Sequence, residues 1–277
     1  MCLDFNGSIL MALIFEKRNN IAYITLNRPE SRNAFDPEML VELAAVWKEY
    51  REDKSLRCAI LTGAGDKAFC AGADLGILIP LMSGARKAES EADKQVQNNP
   101  EMMNQAILRD FDLHKPVVAA INGHAIAGGL EFLYATDIRI ACPEAKFGLQ
   151  EVKWAIFPMG GSSVHLPRQL PYAKAMEMLL TGELISAQEA LDFGLINRIV
   201  PRDQVVVEAE KTATLIAKNG PLAVLAIKKA VQANLGVPVK EALAKELEIA
   251  MPVFLSKDVQ EGPRAFKEKR EPVYKGE

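Results

Sequence analysis

The 277-residue sequence predicts an α/β protein with a helical C-terminal region. Two observations predict this class. Strand-like and helix-like segments alternate through the first half of the chain, an order that builds a sheet covered by helices, and the chain becomes mainly helical after Gly161. We therefore expect an N-terminal extension (1–10), an α/β core (11–200) and a C-terminal helical region (201–277).

The first three segments of the core read as strand, helix and strand. Residues 22–26 are rich in β-branched and aromatic side chains, which favour strands. Asp36 and Pro37 fit a helix N-cap and a first helical residue, and apolar residues at helical spacing extend that helix over 37–52. Residues 57–62 form the next predicted strand.

A polar segment then interrupts this order. Residues 83–100 carry few apolar side chains, so we expect a long or mobile excursion there. The pattern beyond it predicts a helix over 102–113 and buried strands over 117–121 and 137–141.

Capping residues and helix breakers mark the ends of the predicted helices in the C-terminal half. Ser186 and Glu189 form a predicted capping box, and Gly194 ends that helix. Glycine and proline at 219–221 and at 236–238 separate the later helices.

Composition and charge exclude several classes of function. Lys plus Arg total 33 and Asp plus Glu 36, a formal charge of −3, which does not suit a nucleic-acid partner. No Cys/His cluster has metal-ligand spacing, so we expect no metal. We expect no membrane partner, although residues 116–136 are strongly apolar. The N-terminus lacks signal-peptide features, and the widely spaced cysteines fit reduced thiols in the cytoplasm.

The most informative residue is one charge in an apolar segment. Between Lys115 and Asp137 lie 21 residues, of which only Glu131 is charged. Burial of a carboxylate raises its pKa, which tunes a general acid or base towards neutral pH. A helix-terminal glutamate with a solvated or salt-bridged carboxylate explains the residue equally well at this point.

Two glycine-containing segments offer backbone N–H groups to a ligand. Gly128 and Gly129 open a predicted helix over 128–135, and residues 69–75 follow a predicted strand. Donors from both segments, if aimed at one point, would make an oxyanion hole for an enolate. Close backbone packing is the alternative reason for the paired glycines.

Glu151 is a second candidate acid, placed between an FGLQ segment and PMGG at 158–161. On its own it fits a surface or salt-bridged residue, because Lys153 is close by in the sequence. Two further motifs are weak. Residues 63–68 loosely fit a dinucleotide fingerprint but continue as a loop, and residues 160–164 lack the last glycine of GxSxG.

Taken together and in order, these motifs resemble the crotonase (enoyl-CoA hydratase/isomerase) family over about residues 21–274. The landmarks are LNRPE at 26–30, LTGAGDKAFCAGADL at 61–75, KPVVAAINGHAIAGG at 115–129, Glu131, FGLQE at 147–151, PMGG at 158–161, LTGELISAQEALDFGL at 180–195 and AFKEKR at 265–270.

The resemblance implies a spiral of ββα units followed by a C-terminal helical trimerisation region. It implies assembly into a homotrimer, or into a homohexamer built from two trimers. The implied ligand is an acyl-CoA or enoyl-CoA thioester, and no cofactor is expected because coenzyme A is part of the substrate.

The resemblance also implies the site residues. Glu131 and Glu151 match the two glutamates of the hydratase branch, in which the first activates water for attack at Cβ and the second delivers a proton to Cα. The backbone N–H groups of Ala73 and Gly128 match the oxyanion donors. The positions matching coenzyme A contacts are Ala71, Asp74, Leu75, Phe266 and Lys269.

The presence of both glutamates favours hydration of a 2-enoyl-CoA. An enoyl-CoA isomerase or other crotonase-type lyase, and a non-catalytic CoA-binding protein, are the alternatives. Two departures from the family pattern stand near the site: Ala127 replaces a glycine that many members have, and Leu149-Gln150 replaces the common Gln-Pro before Glu151.

Overall fold

A computed structural model describes residues 11–277, so the predicted N-terminal extension lies outside the described residues. The strands are β1 (Leu13–Arg18), β2 (Ile21–Leu26), β3 (Cys58–Gly63), β4 (Ala68–Cys70), β5 (Val117–Ile121), β6 (His124–Ile126), β7 (Ile138–Ala141), β8 (Lys146–Gly148), β9 (Ile185–Ser186) and β10 (Arg198–Ile199). The helices are α1 (Pro37–Glu52), α2 (Leu78–Met82), α3 (Glu91–Asn98), α4 (Pro100–Ala106), α5 (Gly128–Leu133), α6 (Ser162–Gln169), α7 (Tyr172–Thr181), α8 (Ala187–Asp192), α9 (Val205–Lys218), α10 (Pro221–Asn234), α11 (Val239–Phe254) and α12 (Asp258–Glu268).

Two sheets carry the strands. One has the order β1-β2-β3-β5-β7-β10 and the other β4-β6-β8-β9. Neighbours are parallel except for the antiparallel pairs β1–β2 and β8–β9. Strands β3, β5 and β7 each lie in the first sheet and are followed by β4, β6 and β8 in the second, so the chain winds as a spiral. The predicted spiral of ββα units is confirmed.

Helix α1 forms where the sequence predicts it. The Asp36 carboxylate accepts a hydrogen bond from the Met39 N–H at 2.8 Å, and Pro37 occupies the first turn. Trp47 and Tyr50 on its inner face are fully buried, and the Tyr50 hydroxyl donates to the Pro116 carbonyl at 2.7 Å. The helix is thereby fixed to the start of β5.

The most apolar stretch of the sequence, 116–136, lies in the centre of the fold. It forms β5, whose five residues are all buried, then β6 and α5. A continuous apolar run is typical of a parallel strand covered on both faces. Within residues 11–277, no helix is long and apolar enough to cross a membrane.

The predicted excursion over 83–100 is wrong in part, because most of its second half is helix α3. Ser90 and Asp93 form a capping box at its start. The Asp93 carboxylate also receives two hydrogen bonds from Arg86, at 2.8 and 2.6 Å. Val96 is the one buried apolar residue of α3, so local polar contacts set this helix and the apolar period gives almost no signal.

The predicted helix over 102–113 is too long. Helix α4 starts at Pro100, with the Asn99 side chain accepting from the Met102 N–H, and ends at Ala106. The Trp47 indole N–H donates a hydrogen bond to the Ala106 carbonyl at 3.1 Å, and Leu108 adopts a left-handed φ of 56°. A long-range contact therefore ends the helix where its own sequence favours continuation.

The C-terminal helices differ from the core in burial. Helix α9 packs on the sheet, with Val205, Ala209 and Ala213 buried. Helices α10 and α11 have no buried residue, and apolar side chains of α11 such as Leu243 and Leu247 are 57% and 64% exposed. The predicted division at residue 200 stays a prediction.

Candidate active site

Helix α5 positions Glu131 through its neighbour Phe132. The Phe132 ring is fully buried and makes edge-on contacts with Phe35 and Trp47, at centroid distances of 5.7 and 5.9 Å. This anchor fixes the short helix against the core. Glu131, one residue earlier, is 7% exposed.

The Glu131 carboxylate lies in a tight polar pocket. Its Oε1 accepts a hydrogen bond from the Ser162 hydroxyl at 2.8 Å and another from the Ser162 N–H at 3.4 Å. Gly160 lies so close that any Cβ there would overlap the carboxylate. Burial raises the pKa of Glu131, while the Ser162 hydrogen bonds partly oppose that rise. The alternative of a solvated or ion-paired glutamate is therefore wrong.

Glu151 begins a 3₁₀ turn, Glu151–Trp154. Its Oε2 is buried and has no hydrogen-bond partner among residues 11–277. Burial is the main reason that its pKa rises to about 7, and the charge of Glu131 adds to the rise. Lys153 does not pair with it, because the lysine contacts Glu183 at 2.8 Å. The interpretation of Glu151 as a salt-bridged surface residue is therefore wrong as well.

The two glutamates have different surroundings. Glu131 receives donors that favour its charged form, whereas Glu151 has an unpartnered oxygen and a pKa of about 7, so it carries a proton in about half of the molecules at neutral pH. Two carboxyl groups with such contrasting surroundings suit a base and an acid acting together.

The segment before Asp74 presents one free backbone donor. Phe35 donates its N–H to the Gly72 carbonyl at 2.7 Å and accepts from the Asp74 N–H at 2.9 Å. Ala73, between them, directs its own N–H to the other side, because alternate peptide groups of an extended strand point in opposite directions. That N–H has no acceptor among the described residues.

The structure brings this segment against the start of α5. A Cβ on Gly72, whose φ is +87°, would lie 2.8 Å from the Gly128 nitrogen, and a Cβ on Gly129 would overlap the Cys70 carbonyl. Gly128 is the first residue of α5, so its N–H has no helical acceptor. Both explanations of the glycines therefore apply: they allow close backbone packing, and they bring the two donor segments together.

Ala127 has an unusual backbone conformation. Its φ is +53° and its ψ −126°, a combination that is strained for a residue with a side chain. The Gly72 backbone faces its methyl group, since a Cβ on Gly72 would lie 2.9 Å from it. The alanine therefore narrows the gap between the two donor segments.

The residues predicted to contact coenzyme A near this loop differ in exposure. Leu75 is 57% exposed, and Ala71 is half-buried with its N–H bonded to the Arg32 carbonyl at 3.1 Å. The Asp74 carboxylate is occupied by the N–H groups of Gly76 and Ile77 and by the Arg28 guanidinium. Asp74 therefore shapes the loop.

Phe266 and Lys269 lie at the end of α12. Phe266 is 87% exposed, and the Lys269 ammonium makes no ion pair or hydrogen bond within residues 11–277. Within a single chain, these two side chains are not part of the site around Glu131.

A cavity of about 470 Å³ opens beside Glu131. Leu108, Phe111 and Tyr134 supply apolar wall, and Arg109 and His165 supply polar wall. Glu151, Ala73 and Gly128 are not part of its lining. The residues from 11 to 277 hold no cluster of three or more His, Cys, Asp or Glu side chains suited to a metal ion.

Sequence reasoning missed Ser162 and Tyr134. Ser162 is fully buried and Tyr134 nearly so, and the Tyr134 hydroxyl lies 3.3 Å from Ser162 Oγ. The sequence signal for Ser162 was its place directly after two glycines, which favours a close approach to another segment. Tyr134 stands three residues after Glu131, on the same side of the helical turn.

Comparisons with known proteins agree with this geometry. The family model for enoyl-CoA hydratase/isomerase matches residues 16–277. An enoyl-CoA hydratase of Mycobacterium tuberculosis is 43% identical over 261 residues, covering 94% of this chain and 95% of that protein. An (E)-benzylidenesuccinyl-CoA hydratase of Thauera aromatica is 40% identical, covering 96% and 100%.

Solved structures give the same result. The crystal structure of an enoyl-CoA hydratase from Bacillus anthracis is similar with a TM-score of 0.86 and 38% identity, covering 96% of this chain and all of that one. With the family model spanning nearly the whole chain, the protein belongs to the crotonase, or enoyl-CoA hydratase/isomerase, family.

Proposed function

We propose that the protein is an enoyl-CoA hydratase, which adds water across the 2,3 double bond of a 2-enoyl-CoA thioester. The observation that carries the proposal is a pair of glutamates with contrasting surroundings, Glu131 buried and Glu151 half-buried, together with two segments that have free backbone donors. Relatives named as hydratases at 43% and 40% identity support it.

The thioester carbonyl is placed against the N–H groups of Ala73 and Gly128. These donors stabilise the negative charge that reaches the carbonyl oxygen when a nucleophile attacks Cβ. Loss of one such donor typically raises the barrier by roughly 2.7–4 kcal/mol. The fixed backbone of both segments means that the donors need no rearrangement during the reaction.

The two glutamates divide the proton transfers. Glu131 takes a proton from the water molecule as the water oxygen bonds to Cβ, and the electrons of the double bond move into the enolate. The enolate then collapses as Cα takes the proton of Glu151. Exchange with solvent returns a proton to Glu151 and removes one from Glu131, so both regain their starting states.

Assembly of several copies is part of the proposal. Helix α11 exposes Leu243, Leu247 and Phe254 at 57%, 64% and 68%, and a contiguous exposed apolar face is typical of an interaction surface. A homotrimer, or two trimers forming a hexamer, covers this face. Phe266 and Lys269 then contact the coenzyme A bound to a neighbouring subunit.

The test is turnover of a panel of 2-enoyl-CoA substrates, followed by the loss of the conjugated absorbance. Glu131→Gln and Glu151→Gln each lower kcat by about 10²-fold or more, with thioester binding changed only a few-fold. Glu16→Gln, on the exposed face of β1, is the matched control and keeps wild-type rates. A silent Glu151→Gln variant contradicts the role of that residue as proton donor.

A further inference from the structure

Glu131 receives hydrogen bonds from one side chain, Ser162, among residues 11–277. The Ser162 hydroxyl and the Ser162 N–H both point to Oε1. Ser162 is fully buried at the start of α6, so solvent does not compete for its hydroxyl. Ser162 therefore holds Oε1 in place, while Oε2 lies against the Gly160 backbone.

Tyr134 gives this contact a direction. A serine hydroxyl has one proton, and Ser162 uses it towards the carboxylate. The Tyr134 hydroxyl, 3.3 Å from Ser162 Oγ, must then donate its own proton to that oxygen. Burial raises the pKa of Tyr134, so the phenol keeps its proton throughout the ordinary pH range. The hydrogen bonds therefore run in one direction, from Tyr134 through Ser162 to Glu131.

Other charged groups influence these hydrogen-bonded residues electrostatically without bonding to Glu131. Arg109 acts on Glu131 across the cavity, and Glu151 faces it from the 3₁₀ turn. Arg139 on β7 acts on Tyr134, and the His165 ring of α6 lies 5.7 Å from the Tyr134 ring. None of these groups replaces the donor if the Ser162 hydroxyl is removed.

We propose that Ser162 is a positioning residue for Glu131, and that Tyr134 orients the Ser162 hydroxyl so that the Glu131 carboxylate is held in one orientation for the attacking water. This inference rests on the proposed hydratase function. Leu149, two residues before Glu151, is apolar and 1% exposed, so it offers Glu131 no hydrogen-bond donor.

The experiment compares Ser162→Ala, Ser162→Thr and Tyr134→Phe with the control Ser163→Ala, whose residue is the exposed neighbour. We expect Ser162→Ala to lower kcat by about 10- to 100-fold, the usual size of a lost hydrogen bond to a charged group, with KM changed less than about threefold. Ser162→Thr keeps the hydroxyl and restores most of kcat. Tyr134→Phe lowers kcat by a smaller factor.

The pH profile separates positioning from a general structural role. A hydrogen bond to the charged carboxylate favours that form, so Ser162→Ala moves the acid limb of the kcat profile to higher pH, and Tyr134→Phe moves it in the same direction. Infrared titration of the Glu131 carboxyl, assigned by subtraction of the Glu131→Gln spectrum, reports the same change without turnover.

The infrared measurement distinguishes failure of this inference from failure of the proposed function. If the wild type adds no water but Ser162→Ala still moves the carboxyl titration, the positioning holds and the hydratase assignment fails. If Ser162→Ala leaves both kcat and the titration at wild-type values, the inference is overturned. If Ser162→Ala does not fold, the same two readouts on Tyr134→Phe decide, and wild-type values there overturn it.

Discussion

Replacing Glu151 with glutamine stabilises the protein at alkaline pH while it removes the proposed proton donor. Glu151 is half-buried, one of its carboxylate oxygens is buried without a partner, and its pKa rises from 4.5 to about 7. Its charged form is therefore held in an unfavourable place. Glutamine has nearly the same shape and carries no charge, so the cost disappears.

The sign and size of the effect follow from linkage between protonation and folding. Below pH 4.5 the carboxyl is protonated in both the folded and unfolded states and contributes nothing. As the pH rises from 4.5 to 7, the unfolded chain loses its proton first and the folded state loses stability. Above pH 7 the full cost is present. A pKa rise of this size corresponds to about 3.4 kcal/mol, which partial solvent access reduces to roughly 1–2 kcal/mol.

Thermal unfolding at two pH values is the assay. For a chain of this size we expect Glu151→Gln to raise Tm by about 2–8 °C at pH 8.5 and by much less at pH 4.5. Glu16→Gln, the exposed control, leaves Tm unchanged at both. A lower Tm at pH 8.5, or an equal rise at both pH values, refutes the reasoning that an uncompensated buried charge resides on Glu151.

Three further predictions concern the backbone of the site and the assembly. Gly72→Ala, which forces a Cβ against the Gly128 nitrogen at a positive φ, lowers stability by about 1–3 kcal/mol and lowers kcat; melting and rate assays check it, and wild-type values contradict it. Ala127→Gly relieves a strain of about 1–3 kcal/mol against an entropic cost of about 0.4–1, so Tm stays equal or rises, and a fall in Tm contradicts the strain. Leu247→Glu reduces the oligomer measured by light scattering, and a monomeric wild type contradicts the assembly.

The fold was predictable where local sequence decides structure. Helix α1, with its Asp36 cap and apolar spacing, forms over the predicted residues. Helix α3 was missed because polar capping contacts of Arg86 and Asp93 set it. The end of α4 was missed because it depends on a hydrogen bond to the Ala106 carbonyl from Trp47, which is distant in the sequence. Short strands such as β6 carry too few residues for a period to be visible.

The candidate site was predictable in its residues but not in their surroundings. The isolation of Glu131 in an apolar stretch indicated its burial, and the structure places it at 7% exposure. The contact with Ser162 joins residues 31 positions apart, which no local pattern reports. Glu151 is a candidate acid from the sequence itself and its role as proton donor comes from the family resemblance, whereas its unpartnered oxygen depends on the packing of a 3₁₀ turn.

The most direct test of hydration is the mass of the product that the wild-type protein forms from a short 2-enoyl-CoA. The account predicts a 3-hydroxyacyl-CoA, heavier than the substrate by one water molecule, whose formation is strongly slowed by Glu131→Gln and by Glu151→Gln. A product of unchanged mass with a shifted double bond, or bound substrate that is never converted, contradicts it.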